Sequence, residues 1–194
     1  METCASFIGA SLERLKHALA GLTGQAGLHL DRPVITRALH RRLSSALRAI
    51  EIMFRRLLFL LAMQVDLPDT SKASQDRERA AGRTRRWHFI LMPVARPLPD
   101  HFEPVEPRKA IPLSPAQTRT LLERFQTMAG MLEDPVPAAR RMARLLTRLK
   151  RRGAMRPCCA PQSRLHRLDH ELGLIASTLP GLVNQALKGW YDTS

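Results

Sequence analysis

The residues with the clearest capacity for chemistry are a cysteine pair and a histidine pair near the end of the chain, Cys158, Cys159, His166 and His170. The two histidines are four residues apart, so on a helix they would share one face, and Cys and His are the ligands that zinc prefers. Adjacent cysteines rarely both bind one ion, and the spaced cysteine pair of zinc sites is missing. We therefore predict no metal site and place both histidines on the polar side of the last helix.

Other catalytic and cofactor-binding patterns are also missing. The sequence contains no Gly-x-Ser-x-Gly elbow, no His-Glu-x-x-His helix and no glycine-rich phosphate loop. The acids that might pair, Asp100, Glu103 and Glu106, lie in a Pro-rich segment, where a fixed geometry is hard to hold. We predict a non-enzymatic protein with no cofactor and no small-molecule substrate. The alternative is a small enzyme with an unrecognised site.

The largest feature of one charge sign lies between residues 135 and 168, where ten Lys and Arg residues occur without an Asp or Glu. Such a surface suits a phosphate backbone. The candidate polyanion-binding residues are Arg140, Arg141, Arg144, Arg148, Lys150, Arg151, Arg152 and Arg156. With Ala139 and Leu146 at heptad position a, the arginines of this helix face away from the core. No aromatic residue interleaves with the run, so base stacking has no platform in it. The alternative is an ordinary solvated helix face.

A second row of positive charge consists of Arg41, Arg48 and Arg55, which recur every seven residues opposite a long apolar stripe. This pattern predicts a solvated helix rim. The alternative is a basic amphipathic helix over residues 33–65 that lies on an anionic membrane surface. The apolar residues that would insert are Phe54, Leu57, Leu58 and Phe59.

Cations and aromatic residues are interleaved between Arg83 and Phe89. The candidates for docking or stacking are Arg85, Arg86, Trp87 and Phe89. Single-stranded nucleic acid or a partner groove could use such a run through stacking and charge together. The alternative, which we favour, is that Trp87, Phe89 and Leu91 form an alternating face that docks this segment on the helices.

The composition limits the class of protein that positions these residues. A hydrophobic content of 44% in 194 residues is enough for a packed core, and scarce glycine and only 5% aromatic residues favour helices. The net charge of +14 raises affinity for polyanions, although Arg-, Ala- and Pro-rich proteins are also typical of GC-rich bacteria. Three cysteines, two of them adjacent, make a poor disulfide framework, and no export signal or membrane-spanning apolar run is seen. These features predict a cytoplasmic protein.

The spacing of apolar residues predicts an all-α protein, a bundle of about five helices with one long central helix. The stripes are Ile8, Leu12, Leu15, Leu19 and Leu22; Leu39, Leu43, Ala46, Ile50, Met53, Leu57 and Leu60; Leu121, Phe125, Met128 and Leu132; Ala139, Met142, Leu146 and Leu149; and Leu165, Leu168, Leu172, Ile175 and Leu179. The boundary signals are Ser6 or Ser11 as the first N-cap, Asp31 as the cap of the long helix with Pro33 in its first turn, Ser114 before Pro115, and Pro180-Gly181 as a break near the end.

Two helical parts, 1–66 and 114–194, are expected on either side of a tether over 67–113. The tether begins as a polar linker, continues with a short strand-like run at 87–92 and then becomes Pro-rich. In the second part, the first two helices are expected to form an antiparallel hairpin. The alternative is a single bundle with a long structured crossing.

The function predicted from these features is that of a basic helical binding or scaffold protein. Its partner would be another protein, a nucleic-acid backbone or a second copy of the chain. Self-association would use the wide apolar face of residues 35–61. Peripheral binding to an anionic membrane is the alternative.

Overall fold

The computed structural model describes residues 2–25, 35–65, 89–92, 115–162 and 168–191. The five helices are α1 (Glu2–Gln25), α2 (Arg37–Gln64), α3 (Pro115–Glu133), α4 (Val136–Arg151) and α5 (His170–Ala186), and a short 3-10 helix follows at Lys188–Trp190. Every regular element within these ranges is helical. The predicted all-α class and helix number are therefore confirmed.

The long helix α2 is the centre of the bundle. Its 28 residues span about 42 Å, and it packs against α1, α3, α4 and α5. Every apolar residue in its second half, from Met53 to Leu60, is buried, and only Arg55 and Arg56 keep partial exposure there. A helix that is apolar on nearly every side must be surrounded by others, which explains the central position.

The first two helices begin at residues other than those predicted. α1 runs through both Ser6 and Ser11, and Ser11 is buried inside it, so neither residue is an N-cap. α2 begins at Arg37, after the extended residue Thr36, whose Oγ1 accepts a hydrogen bond from the backbone N–H of Leu39 at 3.3 Å. The predicted cap of α2 was therefore wrong, because a threonine next to the helix supplies the acceptor. Asp31 and Pro33 lie outside the described residues.

Helices α3 and α4 do not form the predicted antiparallel hairpin. α3 packs mainly against α1 and also against α2, whereas α4 packs against α2. Two residues, Asp134 and Pro135, join the helices, and a link this short can connect an antiparallel pair. The hairpin is absent because the apolar side of α4 is buried against α2 rather than against α3. The predicted stripes of both helices are nevertheless buried, from Leu121 to Leu132 and from Ala139 to Leu146, with Leu149 partly buried.

The last helix continues through the predicted break. α5 begins after Asp169, whose Oδ1 accepts from the N–H of Leu172 at 2.7 Å, and it contains Pro180 as a buried residue. A proline inside a helix removes one backbone hydrogen bond. Here the prediction of a break was wrong because Leu179, Pro180 and Val183 together fill the core beside α2.

The described part of the tether is Phe89–Met92, in which Leu91 and Met92 form a bend. The short strand predicted over 87–92 is not tested by these four residues and stays a prediction. Trp87 and the Pro-rich residues lie outside the described ranges. Apolar residues of both predicted helical parts contribute to one hydrophobic core. Among the described helices, none has a stretch apolar and long enough to cross a membrane.

Candidate functional site

The predicted polyanion-binding residues lie on α4 and the turn that follows it, and all eight are exposed. We call this set the basic face; it consists of Arg140, Arg141, Arg144, Arg148, Lys150, Arg151, Arg152 and Arg156. The opposite side of α4 is buried and carries small or flexible apolar residues, which are Ala138, Ala139, Met142, Ala143 and Leu146. The heptad assignment made from the sequence therefore places the arginines of α4 correctly.

The seven arginines of the basic face have no carboxylate partner within the described ranges. On other helices, glutamates are held in ion pairs with neighbouring cations: Glu13 with Lys16 at 2.8 Å, and Glu171 with Arg14 at 2.7 Å. Positive charge without a carboxylate partner is therefore concentrated on the basic face, and a second exposed group of arginines, Arg41, Arg42 and Arg48, lies on α2. An uncompensated row of guanidinium groups produces a positive potential that attracts polyanions.

The spacing along α4 arranges part of the basic face as a line. Arg144, Arg148 and Arg151 are four and three residues apart, so they share one side of the helix within a rise of about 10 Å. Arg148 and Arg151 lie in the last turn, where the helix dipole is negative and cations are stabilised. The charges of these two arginines therefore stabilise the end of the helix.

A glycine turn ends α4 and directs the chain onto the C-terminal 3-10 helix. Gly153 has φ +64°, its N–H donates to the carbonyl of Lys150 at 3.0 Å, and the N–H of Ala154 donates to the carbonyl of Leu149 at 3.0 Å. This is the Schellman arrangement, which requires a left-handed residue after the helix. The buried Trp190 binds this turn, because its Nε1 donates a hydrogen bond to the carbonyl of Ala154 at 3.1 Å.

The predicted rim of α2 is not uniform. Arg41 and Arg48 are exposed as predicted, but the side chain of Arg55 is only 17% exposed. Arg55 lies 4.6 Å from the ring centre of Phe89, and its Nε donates to the carbonyl of Ile90 at 2.7 Å. The prediction of a solvated rim was wrong at Arg55, because the tether segment covers that turn of the helix. Burial lowers the pKa of the Arg55 guanidinium from its usual value, and the neighbouring Glu51 opposes this.

Of the four docking or stacking candidates, Phe89 alone lies within the described residues, and its side chain contacts α2. The rings of Phe89 and Phe54 meet edge to face, with centroids 5.6 Å apart and an interplanar angle of 62°. Arg85, Arg86 and Trp87 lie outside the described residues, so their role remains a prediction.

Sequence reasoning did not identify Glu51, the one buried carboxylate in the described ranges. It accepts two hydrogen bonds from Arg124 on α3, from Nε at 3.2 Å and from Nη2 at 2.8 Å. Arg55 Nη2 lies 3.7 Å from its second oxygen. The signal in the sequence was an acid within an otherwise apolar helix face, beside Ile50 and Met53.

An open cleft of about 1780 Å³ lies along α2, between the loop at 157–162 and α5. It exceeds the size of an ordinary small-molecule pocket, about 300–1,000 Å³. The arginines that line it are Arg41, Arg42, Arg48, Arg55, Arg56 and Arg124. Three buried polar atoms on its lining have no hydrogen-bond partner within the described residues: Ser44 Oγ, Arg56 Nη1 and Gln162 Oε1. Its two carboxylates are both engaged: Glu51 is held in the ion pairs described above, and Asp169 caps α5 by accepting from the N–H of Leu172.

The cysteine and histidine candidates are dispersed. Cys158 is exposed, Cys159 is half-buried, both are free thiols, and burial raises the pKa of the Cys159 thiol. His170 is exposed at the start of α5, and His166 lies outside the described residues. No group of three metal-ligating side chains occurs in the part of the chain that is described.

The apolar residues considered for membrane insertion are parts of the core. Phe54, Leu57, Leu58 and Phe59 are at most 6% exposed and are covered by the surrounding helices. The wide apolar face of α2 likewise belongs to the core of its own chain, and self-association stays a prediction. Comparison of the chain with protein families, with curated proteins and with solved structures finds no match.

Proposed function

We propose that this protein is a non-enzymatic nucleic-acid-binding protein that contacts the phosphate backbone through the basic face of α4 and its C-terminal turn. The observation that carries the proposal is the set of seven exposed arginines without a carboxylate partner in the described ranges, next to helices on which glutamates are held in ion pairs. Guanidinium groups form paired hydrogen bonds with phosphate oxygens, which suits Arg more than Lys for this task.

The proposal favours a nucleic acid over a membrane surface because of where the apolar residues lie. A peripheral helix needs exposed apolar side chains next to its cations. The apolar side of α4 is buried against the bundle, and the apolar residues of α2 are in the core. We also propose a cytoplasmic location. The three free thiols support it, because cysteines stay reduced in that compartment.

The test is a binding titration of the full-length protein with a labelled nucleic acid of mixed sequence, repeated over a salt series. We expect affinity to fall steeply between low and physiological salt, because binding releases counterions from the phosphates. Affinity that hardly changes with salt would exclude a phosphate-driven mode. Co-sedimentation with anionic liposomes in the same buffers tests the membrane alternative, and preferential binding there would overturn the proposal.

Two charge-matched variants test whether α4 is the binding surface. Arg144, Arg148 and Arg151→Gln removes three charges from the basic face, and Arg41, Arg42 and Arg48→Gln removes three exposed charges from α2. Removing one arginine–phosphate ion pair lowers the salt slope by about one unit. We expect the α4 variant to bind more weakly and with a smaller salt slope, and the α2 variant to change much less. Equal changes would show that net charge alone, rather than this surface, attracts the polyanion.

A further inference from the structure

The tertiary structure brings an aromatic side chain to the basic face, which the local sequence does not. Tyr191 follows the 3-10 helix, and its hydroxyl accepts a hydrogen bond of 3.0 Å from the backbone N–H of Arg156, 35 residues earlier in the chain. A second hydrogen bond joins the same two segments: Lys150 Nζ donates to the carbonyl of Gly189 at 3.4 Å. The end of α4 and the end of the described chain are therefore held side by side.

Tyr191 is exposed although its neighbour is not. Trp190 is 6% exposed and forms part of the core, whereas Tyr191 is 66% exposed and Met155, on the facing turn, is 88% exposed. The hydrogen bond to Arg156 fixes the polar edge of the tyrosine ring without burying it. An exposed ring bonded to Arg156, at one end of the basic face, has the two parts of a single-strand binding site, which are a stacking surface and cations for the backbone.

We propose that Tyr191 is a stacking platform for an unpaired nucleobase, so that the nucleic acid bound by the basic face is single-stranded. This inference rests on the proposed function. A duplex keeps its bases stacked on one another inside the helix, so one exposed ring can reach a base only after that base is unstacked, at a free-energy cost. A single strand offers its bases without this cost, and stacking on an aromatic side chain tolerates every base.

The experiment compares three probes on the full-length protein: a single strand of mixed sequence, the same sequence as a duplex, and an abasic strand with the same phosphodiester backbone. We expect the single strand to bind tightest. Tyr191→Ala is expected to weaken single-strand binding about tenfold and to leave abasic-strand binding unchanged, because it removes the stacking surface and keeps every arginine of the basic face. Tyr191→Phe keeps the ring and is expected to retain most of the affinity.

The controls separate failure of this inference from failure of the proposed function. Leu174→Ala removes another exposed apolar side chain, 56% exposed and on α5, and is expected to change none of the three affinities. Unchanged abasic-strand binding by Tyr191→Ala shows that the variant is folded. Equal binding of single strand and duplex, or a Tyr191→Ala variant with full affinity for the single strand, would overturn the inference and leave the basic face in place. Failure of all three probes to bind would overturn the proposed function itself.

Discussion

Nη2 of Arg124 lies 2.8 Å from Oε1 of Glu51, where the Glu51 side chain is only 5% exposed. The contact joins α2 to α3 and places a charge pair inside an otherwise apolar interface. Removing water from two charges is costly, so the pair is stabilising only while both partners are present. The pair therefore fixes which turn of α3 faces which turn of α2.

Glu51→Ala is expected to lower the free energy of unfolding by about 3 kcal/mol, because Arg124 and Arg55 then keep partly buried charges without a carboxylate. The measurement is the urea midpoint at constant m-value. Glu171→Ala is the control, since it breaks the pair with Arg14 at a similar distance, 2.7 Å, with both side chains more than half exposed. There we expect a loss below about 1 kcal/mol. Similar losses in the two variants would contradict the buried role of Glu51.

Substitutions of Arg55 and Arg48 test whether the tether segment 89–92 packs on α2. The two arginines occupy the same heptad position, but only Arg55 contacts Phe89 and the carbonyl of Ile90. Arg55→Ala is expected to destabilise the protein by about 2 kcal/mol, because it removes a charged hydrogen bond and the cation–ring interaction. Arg48→Ala is expected to change stability by no more than about 0.5 kcal/mol. Thermal unfolding of both variants decides, and a larger effect at Arg48 would be incompatible with the docked segment.

Gly153 is expected to be needed for its backbone conformation rather than for space. A Cβ there would meet no atom within 4 Å, but φ is +64°. Gly153→Ala should therefore cost about 1 kcal/mol. Gly130→Ala, in the exposed interior of α3, should instead stabilise the protein by up to about 1 kcal/mol, because alanine favours a helix. Chemical denaturation of both variants gives the two signs, and destabilisation at Gly130 or stabilisation at Gly153 would refute this account of the turn.

The two adjacent cysteines are expected to differ in reactivity. Burial raises the pKa of the Cys159 thiol, so its thiolate fraction at neutral pH is reduced, and the side chain is only half-accessible. Alkylation of Cys159 in a Cys158→Ser variant should be several times slower than alkylation of Cys158 in a Cys159→Ser variant. The alkylation rate at Cys159 should continue to rise with pH beyond the range in which an ordinary thiol has fully ionised, because its pKa is raised. Mass spectrometry of the labelled peptide measures both rates. Equal rates at neutral pH would show that Cys159 is as open as its neighbour.

Much of the candidate site was predictable from the sequence, because the exposed side of α4 follows from the spacing of apolar and charged residues within that one helix. Heptad positions alone placed Arg140, Arg144 and Arg148 on the side of α4 away from Met142 and Leu146, and the structure has them there. The same period failed for Arg55. Whether a residue at a polar helix position stays wet depends on which other segment covers it, and the segment at 89–92 is 35 residues away in the chain.

By itself, the sequence determined that the chain folds into about five helices around a long central one, and that α4 carries a charged outer side. Apolar residues in steps of three and four must be buried together, and this rule acts within each helix. Only the tertiary structure decided that Glu51 is buried against Arg124, that Pro180 stays inside α5, and that Tyr191 lies beside Arg156. Those relationships join residues far apart in the chain and follow from how all the helices fill one core, which no single stripe specifies.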